Sequence, residues 1–254
     1  MLKQLNIQVF VFFDFTFEVI FDYNQGYLTV VFGIGSIEQH GPHLPTNTDA
    51  LIGDVLANKV AERLKNALQA LTMRVGCSRH HMAFPGTISY KDSTLKAVIH
   101  DYVHSLVHHG FKNIILIPSH GGNFRPTQEA IDELKEEYPD SKIIGYTDLF
   151  GLLDALHRFS GEFGVTKEES GAHAGESEAS LMLALAKDLV KEESFEPGYV
   201  GIVGPEQSQL IFEKGMTALT KNGILGDPTK ATSDKGEVYL ENLVKLLVDE
   251  IKRN

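Results

Sequence analysis

The chain of 254 residues carries 34 acidic against 23 basic side chains, and a formal net charge of −11 disfavours nucleic acid and anionic membranes, which are held by clustered Lys and Arg. Its one cysteine, Cys77, excludes an intramolecular disulfide and a cysteine-rich zinc site. With 43% hydrophobic and 22% charged residues it reads as a globular protein long enough to bury a sizeable core.

Near the start, Phe13, Phe15 and Phe17 alternate with Asp14, Thr16 and Glu18, the period of a half-buried strand. The two acids and the missing cleavage site argue against a secretory signal or a membrane span, so a cytoplasmic location is expected. LTVVFGIG, 28–35, reads as a buried strand ending at glycines. A helix follows over 50–70, with Leu51, Val55, Leu56, Val60 and Leu64 on one side. RVGCSRHHMAF, 74–84, reads as a strand before the turn Pro85-Gly86-Thr87, and 93–109 as a helix stopped by Gly110. NIILIP, 113–118, is a strong buried strand, Pro126–Tyr138 a helix with proline in its first turn, and KIIGY, 142–146, another strand. Residues 177–190 read as helix, YVGIV at 199–203 as a short strand, and 238–254 as an amphipathic helix. Continuous apolar strands alternating with helices predict an α/β fold, a mostly parallel sheet covered on both faces, in one domain over 1–254.

Three segments gather costly polar chemistry, each just after a strand or at a helix start, where ligands bind in open α/β sheets. In SIEQHGPHLPTNTD, 36–49, Glu38 and His40 are two apart and share a side of an extended chain, and Asp49 opens the next helix. Two carboxylates and an imidazole with no Lys or Arg nearby suit a divalent metal, which would supply the missing positive charge; a solvated loop is the plainer alternative. In IPSHGGNFRP, 117–126, His120 follows a buried strand, paired glycines let the backbone approach a ligand, and Asn123 is positioned to cap the next helix. In GAHAGESEAS, 171–180, His173, Glu176 and Glu178 precede or open a helix, where acids also sit for dipole reasons alone.

Taken together, IEQHGPHLPTNTD, SHGGN and HAGESEAS resemble, in this order, the signature segments of the creatininase (creatinine amidohydrolase) family. FPGTIS, 84–89, and GILGDPTKATSDKG, 223–236, resemble two more, so the likeness spans about residues 28–240. The resemblance implies a three-layer α/β/α sandwich, a homo-oligomer and metal-dependent hydrolysis of a C–N bond in a small-molecule amide, with two divalent ions (Zn, Mn or Fe). It assigns Glu38, His40, Asp49 and His120 as metal ligands, Asp49 bridging. Glu176 and Glu178 match acids of the third segment, one for metal and one for protons in either order. We assign Glu178 to the metal and Glu176 or His173 to proton delivery, with His43, Asn123 and Ser177 supporting the ligands or touching substrate. Creatinine-hydrolysing members carry an acid two positions after the second-segment histidine and a histidine between the third-segment acids. Here those positions are Gly122 and Ser177, which resembles the wider family, including formamide hydrolases of flavin-type biosynthesis, more than creatininase itself. Two other accounts remain: a catalytically silent metal-binding member, and a metal phosphoesterase with Arg125 as its one nearby base.

Other histidines read more plainly. His100, His104 and His108 share a helix face, expected to be a polar or interface face; of His80 and His81, on opposite sides of a strand, one could line the site. Cys77 is expected as a buried structural thiol, and Ser119 beside His120 gives no nucleophile geometry.

Overall fold

The computed structural model describes residues 29–64 and 66–253; the stretch around Phe13–Phe17 lies outside them. Four strands, β1 (Thr29–Ile34), β2 (Ala67–Gln69), β3 (Asn113–Pro118) and β4 (Lys142–Gly145), lie in the order β2-β1-β3-β4, each pair parallel. The described α-helices are α1 (Thr48–Leu64), α2 (Asp92–His108), α3 (Phe124–Glu137), α4 (Leu149–Gly161), the single turn α5 (Lys167–Ser170), α6 (Glu176–Ala186), α7 (Pro205–Lys214) and α8 (Ser233–Arg253), with short 3₁₀ turns between some of them.

Strand alternation divides the core in two. Val31, Ile115 and Ile117 face Leu56 and Val60 of α1, Leu181 of α6, and Leu243 and Val244 of α8. Val30, Phe32, Ile114 and Leu116 face Leu95, Ile99 and Val103 of α2 and Ile131 and Leu134 of α3. A sheet buried on both faces needs apolar side chains at successive positions, which is why TVVFGI and NIILIP do not alternate with polar residues. Each fully buried side chain such as Phe32 contributes roughly 1.5–3 kcal/mol. Between α6 and α8 the backbones approach closely at Gly236, where a Cβ would lie 1.9 Å from the Ser180 carbonyl oxygen.

Three expectations give way. The helix over 50–70 ends at Leu64, and Ala67–Gln69 turn into β2. The strand expected over 74–84 is irregular and closes with a 3₁₀ turn at Arg79–His81. Here Cys77 N–H donates to Asn123 Oδ1 and Ser78 N–H to Ser89 Oγ, so these groups are spent on side chains rather than on a ladder. YVGIV forms no strand; Gly198 and Tyr199 donate to the carbonyls of Gly226 and Ile224 instead of joining the sheet.

The topology sets the place of the polar segments. Ile34 and Pro118 are register partners, so β1 and β3 release their chains side by side at the carboxyl edge of the sheet. The third segment arrives through a bridge between His173 and Leu225.

Candidate metal centre

Glu38, His40, Asp49, His120, His173 and Glu178 converge at that edge. His40 Nε2 lies 3.2 Å from Asp49 Oδ1 and 3.9 Å from Glu178 Oε1. His120 Nδ1 lies 3.1 Å from Glu38 Oε2 and 3.3 Å from Asp49 Oδ2, and His173 Nδ1 lies 3.6 Å from Glu38 Oε1. Among the described residues, no Lys or Arg pairs with these three carboxylates; their ion-pair partners are histidines.

The ring nitrogens carry the argument further. A backbone carbonyl only accepts, so the nitrogen beside one must bear the proton. His40 Nδ1 donates to the Glu38 carbonyl at 3.2 Å, His120 Nε2 to the Cys77 carbonyl at 3.2 Å and His173 Nε2 to the Gln39 carbonyl at 2.8 Å. In the neutral ring the other nitrogen is then bare, and in all three it points at carboxylate oxygen. That is how metal-ligating imidazoles are held. Glu38 Oε1 and Asp49 Oδ2 are buried without a hydrogen-bond partner among the described residues, an expensive arrangement without a cation. Glu38-His40-Asp49 and His40-His173-Glu178 each offer donor atoms within 4.8 Å of one another. The donor set fits divalent cations.

Protonation tells the same story. Burial opposes charge on His40, but Asp49, Glu178 and Glu38 outweigh it and raise its pKa to about 10. His120 is likewise raised despite burial, by Glu38 and Asp49. Burial and the charge on His40 push His173 down to about 3, and burial raises the Glu178 carboxyl to about 7, with Asp49 and Glu38 adding to the rise against His40. Without a metal, two imidazoles must hold extra protons to offset the acids.

The Creatininase (creatinine amidohydrolase) family matches residues 14–251 of this sequence. The chain belongs to the creatininase family. It is 30% identical over 229 residues to the mycofactocin precursor peptide peptidase of Mycolicibacterium smegmatis, covering 88% of this chain and 84% of that protein. It is 29% identical to the creatinine amidohydrolase of Pseudomonas putida, covering 86% of each. A crystal structure of creatinine amidohydrolase superimposes with a TM-score of 0.80 at 26% identity, over 97% of this chain and 98% of that one, and related creatininase structures are named as Zn-Zn and Mn forms.

Within this creatininase fold, not every residue singled out from sequence joins the cluster. The Glu176 carboxylate turns away: it accepts from Ser160, Ser180 and Tyr239 at 2.9–3.2 Å and pairs with Lys235 Nζ at 3.3 Å. Ser177 donates to the Ser170 carbonyl. Asn123 does not cap α3; it donates to the Ile34 and Gly35 carbonyls and accepts from Cys77, tying the loops after β1 and β3 together. His43 is buried against the edge of Phe195, its pKa lowered to about 4 by burial and the charge on His40. At Gly122 a Cβ would lie 2.1 Å from the Cys77 carbonyl, which leaves no room for a side chain there.

Gln39 is not singled out from sequence, and of His80 and His81, one of which could line the site, His81 is the one that faces Glu38. Gln39 Nε2 lies 2.9 Å from His81 Nδ1 and donates to the Gly223 carbonyl at 3.1 Å, and its own carbonyl orients His173. His81 Nε2 stands 3.2 Å from Glu38 Oε1. His80 stacks on His120 with ring planes 12° apart. The remaining candidates are plain: Ser119 Oγ donates to the Asp49 carbonyl, His100 pairs with Glu133, His104 with Tyr138, and burial together with Asp92 pushes the Cys77 thiol up to about 12.

Two spaces adjoin the cluster. A cleft of about 1100 Å³ runs past His80, Gly121, Gly122 and Phe212, and a cavity of about 100 Å³ opens beside Glu178. They share Gly121, Phe124 and Leu149.

Proposed function

We propose that this chain is a single-domain hydrolase of an amide C–N bond in a small molecule, a formamide or cyclic amide, working with two divalent ions (Zn, Mn or Fe). One observation carries the reading: buried carboxylate oxygens without hydrogen-bond partners face the bare nitrogens of three imidazoles whose other nitrogens are held by backbone carbonyls. Asp49 is the bridging ligand in this reading, because Oδ1 faces His40 and Oδ2 faces His120. Glu38 and His120 complete one side, His40 and Glu178 the other. When bound, the ions would bring a water toward ionisation at neutral pH and polarise the substrate carbonyl.

The chain's own groups do the rest. Gln39, through its carbonyl, fixes the His173 ring with Nδ1 facing inward. His173 is given no ion in this reading; its Nδ1 would take a proton and pass it to the leaving amine once the ions have changed the charge around it, since in the metal-free chain burial and the charge on His40 hold its pKa down. Ser36 Oγ donates to Glu38 Oε2 at 3.0 Å, orienting the carboxylate. Glu176 stays out of the chemistry and holds α6 in place.

The test is elemental analysis of gently purified protein, followed by chelation, reloading and an assay on formamides, cyclic amides and short peptides. About two ions per chain, with hydrolysis lost on chelation and regained on reloading, are expected. A chain unable to take up zinc, manganese or iron ends this reading. A second reading, peptide-bond hydrolysis, is favoured by the cleft of about 1100 Å³, more room than a small ring needs, and by the peptidase relative. Turnover of peptides and not of formamides would select it.

A further inference from the structure

The cavity beside Glu178 is a built space rather than a surface dent. Ile52 of α1, Ile117 of β3, Leu149 and Leu152 of α4, Leu181 of α6 and Leu243 of α8 contribute to its wall. Besides the phenol of Tyr146, three polar side chains line it, Ser119, Ser177 and Glu178, and each already has a partner. Ser119 Oγ donates to the Asp49 carbonyl at 2.8 Å and Ser177 Oγ to the Ser170 carbonyl at 3.2 Å. Glu178 accepts from the Ala174 backbone N–H, touches the ligand set through His40 and lines the cavity as well. The cavity therefore joins the candidate hydrolytic centre directly, and it meets the larger cleft at Gly121, Phe124 and Leu149.

We propose that this leucine-walled cavity is a specificity subsite that takes a branched aliphatic group flanking the scissile amide bond. The inference rests on the amide-hydrolase reading for the word scissile, but not for the binding itself. Two physical arguments choose the occupant. A polar or charged group would lose its hydration against walls that are mostly aliphatic, with the Tyr146 phenol as their polar exception, whereas an apolar group gains from burial. Size decides the rest. A volume of about 100 Å³ is smaller than the ~150 Å³ apolar hole known to admit benzene, so an isobutyl or isopropyl group fits and larger aromatic groups do not. Leu152, half-buried on α4, is a wall residue at the margin of the core rather than one of its fully buried side chains.

The experiment uses zinc-loaded full-length protein with labelled leucine methyl groups, titrated by NMR with acetamide, isovaleramide and 3-phenylpropanamide. Isovaleramide is expected to shift the cavity's leucine methyls saturably and to bind at least ~10-fold more tightly than acetamide, as the loss of several carbons from an apolar site implies. Leu152→Phe, which fills the space, should abolish that preference. Leu152→Ala, which enlarges it, should move the preference toward 3-phenylpropanamide, a reordering that mere loosening of the fold would not produce. Equal binding of the three amides, or a preference unchanged in both variants, overturns the subsite. Saturable binding with the expected preference but no hydrolysis of any amide supports the subsite and counts against the amide-hydrolase reading instead.

Discussion

Glu176 and Glu178 stand two residues apart in the first turn of α6, and their surroundings are opposite. Side chains so spaced on a helix leave it in different directions. Glu176 turns to the interior shared with α4 and α8, where Ser160, Ser180 and Tyr239 donate to it and Lys235 balances its charge. Glu178 turns to Glu38, Asp49 and the histidines, where the Ala174 N–H donates to it but, among the described residues, no Lys or Arg balances its charge. A buried carboxylate whose complement is complete within the chain holds the fold. One whose complement stops short is arranged for something that arrives from outside.

The largest effect is expected where the outside charge would be shared. Asp49→Ala should drop metal content from the wild-type level to background and abolish hydrolysis. Elemental analysis of both proteins checks it, and equal metal content would sink the bridging assignment.

The two glutamates can then be set against each other. Glu176→Gln leaves Lys235 unbalanced in a largely buried network and should cost about 3 kcal/mol of stability, with metal content per folded chain unchanged. Glu178→Gln should do the reverse, lowering metal occupancy and turnover with little loss of stability. Urea unfolding beside elemental analysis reads both quantities. If both variants move the same one, the contrast between these sites is mistaken.

A smaller effect is expected one step back from the ligands. Gln39→Leu removes the amide beside His81, which itself stands against Glu38, and the donor to the Gly223 carbonyl, so an effect of about 10-fold in metal affinity, at the low end for supports of ligands, is expected. A competition titration with a zinc chelator measures it; unchanged affinity would reduce Gln39 to a loop-packing residue.

Much of the centre was legible because its residue types are conspicuous where they stand. Glu38 and His120 each follow a continuous apolar strand, Asp49 opens the helix after the first of them, and parallel strands deliver their ends to one edge. Gln39 carries no such signal, being a neutral amide whose role depends on His81 and Gly223, far off in sequence. His81 lay in a stretch with the spacing of a strand, and only the backbone donors spent on Asn123 and Ser89 make it a turn. The choice between Glu176 and Glu178 was hidden for a further reason. Acids in a first helical turn look alike in sequence, and which of them faces the cluster depends on how α6 is rotated. That rotation is set by partners on α4 and α8, Ser160 and Tyr239, and by the close approach at Gly236.

The mildest test needs no mutation. Although burial opposes its charge, His40 is raised from 6.5 to about 10 by Asp49, Glu178 and Glu38. A histidine whose folded pKa exceeds its unfolded value adds stability that is fully present below about 6.5 and is lost as pH rises through about 10. Metal-stripped protein should therefore unfold at lower urea at pH 9 than at pH 6.5. Zinc at the centre displaces those protons and supplies their charge, so the zinc-loaded chain should lose this part of the pH dependence. Glu176, balanced by Lys235, predicts no such response to zinc in its own network. A metal-free midpoint that holds steady from pH 6.5 to pH 9 would mean that the acids around His40 are neutralised some other way, and the contrast between the completed and the unfinished carboxylate would fall with it.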